Sequence, residues 1–182
     1  MSWGAYRECS MLQVPNVPEL FTHIKENKEI TNVVEMGTCF GGLTNFLADI
    51  FPKLTIHTFD IINNVVSFYG HANINFILED VHSQDTLTKY KDVLSLENGS
   101  SLLVIDGGDK ALEFNYLKHF AKSGDILMVH DFSIDREDFD NRGKAIWDCF
   151  ECGESDLDLN GMERSEFFEK GLNYAWGIYE KK

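Results

Sequence analysis

The stretch Val33-Val34-Glu35-Met36-Gly37-Thr38-Cys39-Phe40-Gly41-Gly42 decides the fold. A short apolar run ends in a carboxylate and a cluster of glycines. Leu43, Phe46, Leu47 and Ile50 then recur at helical spacing until Pro52 stops them. Glycines let a backbone turn sharply and approach a ligand closely, and the helix that follows presents free N–H groups. The spacing is G-x-x-x-G-G rather than the dinucleotide G-x-G-x-x-G, and no Lys-Ser/Thr follows as in a phosphate-gripping loop. Glu35 at the strand end would repel a pyrophosphate and suits a cationic ligand.

Outward from this unit the same alternation repeats. Asn32 to Met36, Leu54 to Phe59, Ile74 to Leu78, Leu102 to Ile105 and Ile126 to Val129 read as buried strands. Helical spacing marks Pro18 to Lys28, Leu43 to Phe51, Thr86 to Leu96 and Ala111 to Lys122, the last closed by Ser123-Gly124. Such alternation predicts an α/β fold: a single Rossmann-like, doubly wound, mainly parallel sheet with helices on both faces. In the last fifty or so residues the pattern weakens. Asp135 to Asp140 and Glu151 to Asp158 read as acidic loops and Lys144 to Phe150 as a short helix. Asn173 to Tyr179 alternates like an antiparallel C-terminal strand that closes the sheet. The expected organisation is one domain over 1–182: an N-terminal segment and helix (1–30), a ligand-binding core (31–132) and a variable C-terminal part (133–182).

Composition agrees with a single soluble unit. The 182 residues are 43% apolar and 25% charged, and about 150 residues per domain gives a count near one. Acidic residues outnumber basic ones 30 to 16, for a net charge of −14. That balance disfavours duplex nucleic acid and anionic membranes as partners. No apolar run approaches the ~20 residues that cross a bilayer, and no apolar stretch follows a basic start. Cys9, Cys39, Cys149 and Cys152 are too few and scattered for a secreted disulfide framework, so a cytoplasmic location is expected. Cys149 and Cys152 form one isolated C-x-x-C pair, weak grounds for zinc or redox chemistry.

The second strand ends in Phe59-Asp60, about twenty positions after the glycines, where an acid commonly accepts hydrogen bonds from ribose hydroxyls. A glycine loop with a ribose acid implies a nucleoside, and the missing phosphate grip implies one without a diphosphate. S-adenosylmethionine, with its sulfonium, ammonium and ribose, has that description. An NAD-type oxidoreductase is the competing reading, and the glycine spacing and Glu35 argue against it.

Val33 to Phe46 resembles motif I of class I S-adenosylmethionine-dependent methyltransferases, in the E-(I/M)-G-T-x-x-G-G form of the cephalosporin hydroxylase-like and small O-methyltransferase families. Leu103-Val104-Ile105-Asp106-Gly107-Gly108-Asp109 is similar to the family's fourth strand. Gly124-Asp125-Ile126-Leu127-Met128-Val129-His130-Asp131 is similar to its fifth. Trp3-Gly4, Gln13-Val14-Pro15 and Pro18 are similar to the segment leading into the first helix. The resemblance covers roughly residues 1 to 132.

The resemblance implies that Gly37, Thr38, Gly41 and Gly42 cradle the methionine part of S-adenosylmethionine with Glu35 close by, and that Asp60 holds the ribose. Asp80 and Val81 would flank the adenine. Asp106, His130 and Asp131 would converge where the methyl leaves sulfur, as catalytic residues and as ligands for Mg²⁺ or another divalent cation, with Asp106 also binding the cofactor. The His-Asp pair departs from the Asp-Asn or Glu-Asp of well-known metal-dependent members. His130 is therefore open as ligand, general base or structural residue. Relatives often carry a His three residues after the position of Asp106, and catechol-type enzymes a catalytic Lys; here Asp109 stands there. Lys110 reads as a solvated first-turn residue and Cys39 as a small filler. The implied reaction is methyl transfer to a hydroxyl oxygen of a small molecule or a sugar. An S-adenosylmethionine-binding protein without transfer is the other option. Tyr6, Phe132, Phe139, Trp147, Trp176 and Trp3 could stack on sugar rings, although most suit a core, and a homo-oligomer could complete an open pocket.

Overall fold

Five of the apolar runs become the parallel centre of one sheet. The computed structural model describes residues 4–14, 16–80, 82–83, 89, 91–94 and 99–182. In chain order the elements begin with β1 (Ala5–Tyr6), β2 (Cys9–Ser10), α1 (Val17–Asn27), β3 (Ile30–Met36) and α2 (Gly42–Ile50). Next come β4 (Ile56–Asp60), β5 (Ile74–Leu78), β6 (Ser100–Ile105), α3 (Lys110–Leu117) and β7 (Ile126–Val129). The C-terminal part adds β8 (Phe132–Ser133), α4 (Arg136–Asn141), β9 (Cys152–Gly153), β10 (Met162–Arg164), α5 (Phe168–Leu172) and β11 (Gly177–Lys181). Among the described residues the main sheet has the order β10-β11-β7-β6-β3-β4-β5. Neighbours from β7 through β5 run parallel, and β11 pairs antiparallel with both β7 and β10. The expected parallel sheet with a closing antiparallel strand is what forms.

Both faces are covered, which is why the central strands are apolar throughout. Val33, Ile56, Leu102, Val104 and Met128 pack beneath α1 and α2. Val34, Phe59, Leu103, Ile105 and Val129 pack against Phe114 and Leu117 of α3 and Phe168 of α5. Phe114 is fully buried and meets Tyr179 of β11 edge to face at 5.5 Å. Truncation to Ala deletes that contact and leaves a cavity, so Phe114→Ala should cost about 3–5 kcal/mol by denaturant unfolding.

From β3 the chain moves outward to β4 and β5, then crosses back to lay β6 and β7 on the other side of β3. The strand order therefore reverses between β3 and β6, and a crevice opens beyond their carboxyl ends. One side of it is walled by the N-terminal hairpin. Gly4 N–H donates to the Gln13 carbonyl at 2.6 Å, and Tyr6 and Arg7 grip Asp49 of α2. The hairpin lies so close to α2 that a Cβ on Gly42 would sit 2.4 Å from the Ser10 carbonyl oxygen.

The tail departs from expectation. Asp135 to Asp140 is not a loop: α4 begins here, because the Asp135 carboxylate caps Asp138 N–H at 2.8 Å. Phe139 is its one buried side chain, so no apolar period announced it. Lys144 to Phe150 keeps only a 3₁₀ turn at Gly143–Ala145. The last strand starts at Gly177, four residues later than read, because Ala175 at φ +60° breaks the extended run. The helix read as Ala111 to Lys122 ends at Leu117. Of Thr86 to Leu96, only Lys89 and 91–94 are described, and they are helical. Trp3, Pro15 and Val81 lie outside the described residues. Among the described residues, no helix is long and apolar enough to cross a membrane.

Candidate active site

The carboxyl ends of the parallel strands carry the sequence's candidate residues to one edge of the sheet. Asp60 closes β4, Asp80 follows β5, Asp106 follows β6, and His130-Asp131 follow β7. Two cavities meet at Gly37. One, of about 330 Å³, is lined by Asp60, Asp80, His82, Gly107 and Glu113; the other, of about 180 Å³, by Thr38, Asp106, Lys110, His130, Asp131 and Trp147.

Gly37 holds φ +88°, and its neighbour across the sheet leaves no room for a side chain: a Cβ would meet the Asp106 carbonyl oxygen at 2.2 Å. The loop is braced from beneath. Asp60 Oδ2 accepts Cys39 N–H at 2.8 Å and its Oδ1 accepts Ile62 N–H at 2.9 Å. Asp60 thus lines the larger cavity and fixes the glycine loop at once. Gly41, at φ +83°, faces Val65 and Phe68, while Gly42 faces the hairpin. Neither is among the residues lining the two cavities. Glu35 is fully buried below the loop, where its Oε2 accepts from Thr44 and Thr58 hydroxyls.

In the smaller cavity the charges interlock. His130 Nδ1 donates to Asp106 Oδ1 at 2.8 Å and lies 3.2 Å from Asp131 Oδ1. Gln13 Nε2 donates to Asp106 Oδ2 at 2.7 Å, carrying the hairpin onto the site. Lys110 Nζ pairs with Asp131 at 2.9 Å and with Glu151 at 3.0 Å. Burial opposes the charge on His130, but the two aspartates outweigh it and push its pKa up to about 9. The direction of that shift favours the charged ring in the free chain. Burial likewise works against Asp131, yet cationic His130 and Lys110 hold its carboxyl below the usual range. Burial raises Asp106 despite the His130 contact. His130 also packs on Trp176, centroids 4.6 Å apart. Asp131 sits at φ +53°, a left-handed position that Asp tolerates better than most residues.

Lys110 is not the solvated residue expected. Its side chain is only 9% exposed and its ammonium points into the cavity. As the first residue of a helix capped by Asp109, it projects back toward the helix N-terminus and the strand end. Gln13 and Glu151 have no site role in the sequence reading, and Trp147 has one only as an aromatic that could stack on a sugar. They come from the hairpin and the irregular tail, where no period or motif singles them out. Of the aromatics, Trp147 reaches the cavity, Phe132, Phe139 and Trp176 belong to the core, and Tyr6 is tied to Asp49.

No profile of a known protein family matches the sequence. The chain is 26% identical over 141 residues to malonyl-[acyl-carrier protein] O-methyltransferase 2 of Ilyobacter polytropus, covering 71% of this chain and 50% of that protein. It is 27% identical over 128 residues to isoflavone 4'-O-methyltransferase of Medicago truncatula, covering 66% of this chain and 33% of that protein. The matched part spans half or less of the length of these curated relatives. Among solved structures, CmcI-N160 in its apo form superposes with a TM-score of 0.71 at 12% identity, covering 97% of this chain and 75% of that one. The Mg-SAM form of CmcI-D160 gives 0.67 at 12% identity, covering 98% and 76%. Strand order, the glycine loop after β3 and these likenesses agree: the chain has the fold of a class I S-adenosylmethionine-dependent methyltransferase and resembles CmcI within that class.

Proposed function

We propose that the chain, as one domain over 1–182, transfers the methyl group of S-adenosylmethionine to a hydroxyl oxygen of a small molecule or sugar. The observation that carries the reading is the pair of cavities meeting at Gly37. One offers Asp60 and Asp80 to a ribose and an adenine; the other offers Asp106, His130, Asp131 and Lys110 to the reacting groups. At about 180 Å³ the second is smaller than a usual ligand pocket, so it takes only the reacting ends, the methionine part of the cofactor at Thr38 and the hydroxyl-bearing end of an acceptor. In this reading the acceptor oxygen attacks the methyl carbon in line as the carbon–sulfur bond breaks, and S-adenosylhomocysteine leaves. The acceptor's proton passes to the Asp131 carboxylate. His130 and Lys110 keep that carboxylate ionised and in place, and the enzyme acts mainly by alignment. Four free thiols suit a reducing compartment, the cytoplasm.

The same residues fit a divalent cation. Donor atoms of Asp106, His130 and Asp131 lie within 4.8 Å of one another. Asp131 Oδ1 and Gln13 Oε1 are buried and accept no hydrogen bond. These are hard oxygen donors of the kind Mg²⁺ prefers. Asp106 and Asp131 would hold the ion, His130 Nδ1 being engaged with Asp106, and the ion would make a bound hydroxyl more acidic. The Lys110 ammonium competes for the same Asp131 carboxylate.

The test is an acceptor screen with S-adenosylmethionine, with and without Mg²⁺, read as S-adenosylhomocysteine formed. Acceptor-dependent product is the expected result. Cofactor breakdown independent of any acceptor, or NADH binding in place of the nucleoside, would overturn the proposal.

A further inference from the structure

Glu35 is a buried carboxyl with no cation beside it among the described residues. It stands on β3 between Thr58 of β4 and Thr44 of α2, fully excluded from solvent. Its Oε2 accepts the Thr44 hydroxyl at 2.5 Å and the Thr58 hydroxyl at 2.6 Å; its Oε1 has no hydrogen-bond partner. The titratable groups around it are Asp60 at the end of β4, Asp106 beyond β6 and the Cys39 thiol in the loop above. All three become negative when they ionise. Burial, with Asp106 and Asp60 adding to it, pushes the Glu35 pKa up to about 8 against the two threonine hydrogen bonds.

Thr58 does not stop at Glu35. Its hydroxyl oxygen is also 2.6 Å from Thr38 Oγ1, and Thr38 lines the smaller cavity. Each hydroxyl has one proton to give. When Glu35 is ionised, Thr58 donates to it and accepts from Thr38, whose remaining lone pairs face outward as acceptors. When Glu35 is neutral, a proton on Oε1 would be unpaired, so it sits on Oε2 and is donated. Passed through Thr58, that polarity makes Thr38 a donor. An ammonium group in the crevice needs the acceptor.

Resting on the proposed cofactor reading, we infer that Glu35 is a proton switch for that site: binding the ammonium group of S-adenosylmethionine's zwitterionic amino-acid end expels one proton from the buried Glu35 carboxyl to solvent through a reversal of the Thr58–Thr38 hydroxyl pair. The free chain holds this proton below about pH 8 and the complex gives it up at lower pH. The complex therefore carries fewer protons, and affinity rises with pH, by up to about tenfold per unit, until it levels above about pH 8.

The experiment is calorimetric titration of the whole chain with S-adenosylhomocysteine, which keeps the ammonium, in buffers of different ionisation enthalpy. At pH 7, below a pKa raised to about 8, the free carboxyl is largely protonated, so release of most of one proton per ligand is expected, falling as pH passes 8. Glu35→Gln should bind with no release and a flat affinity between pH 6 and 8. Thr58→Val should cut the release below half, and Thr58→Ser should restore it. A purely structural role would leave proton release unchanged in all three. Wild-type binding without proton release, or equal release from Glu35→Gln, overturns the inference and leaves the cofactor reading standing. Absence of binding by the wild type removes both.

Discussion

On the proposed function, Asp131→Asn is expected to bind S-adenosylhomocysteine within about threefold of wild type and to transfer methyl groups about 10²- to 10⁴-fold more slowly, the range for losing a positioned proton acceptor. The loss has a definite origin. Asp131 is buried, paired with Lys110 at 2.9 Å and set 3.2 Å from His130 Nδ1, so its charge is the one both cations are arranged around. Asparagine keeps the size and tolerates φ +53°, which separates charge from backbone strain. Lys110 retains Glu151 as a partner at 3.0 Å, so the fold survives and melting stays within a few degrees. Turnover rate and calorimetric affinity, measured on one preparation, decide the matter. Turnover equal to wild type would remove Asp131 from the chemistry.

Gly37→Ala is expected to abolish the proposed nucleoside binding and to destabilise the chain by about 3 kcal/mol or more. The methyl would lie 2.2 Å from the Asp106 carbonyl oxygen and 2.7 Å from its carbon, and neither backbone is free to move. Gly37 N–H donates to the Phe59 carbonyl at 2.9 Å, and Asp106 N–H donates to the Met36 carbonyl at 3.0 Å. Relief would part β3 from β6 at the point where the two cavities meet. Gly108→Ala, with nothing within 4 Å of its Cβ, should retain wild-type stability. Denaturant unfolding of the two variants separates a local steric effect from a general cost of adding a methyl group.

The residues that sequence alone makes legible are those whose position follows from local pattern. The five central strands read as apolar runs because both sheet faces are covered. Asp60, Asp106, His130 and Asp131 follow from standing directly at strand ends. What escapes is brought in from a distance. Gln13 reaches Asp106 across the N-terminal hairpin, and Glu151 reaches Lys110 from a tail without periodicity. Lys110 was misjudged because its direction depends on where the helix starts, which the Asp109 cap decides. Glu35 was read as a carboxylate beside the ligand; α2 and the loop bury it, and its reach to the cavity runs through Thr58 and Thr38.

The most direct measurement is calorimetric titration with S-adenosylhomocysteine, once with EDTA and once with added Mg²⁺. The account predicts saturable one-to-one binding under both conditions, because the residues assigned to the nucleoside lie in the larger cavity, apart from the Asp106 and Asp131 carboxylates assigned to an ion. No binding under either condition would contradict it.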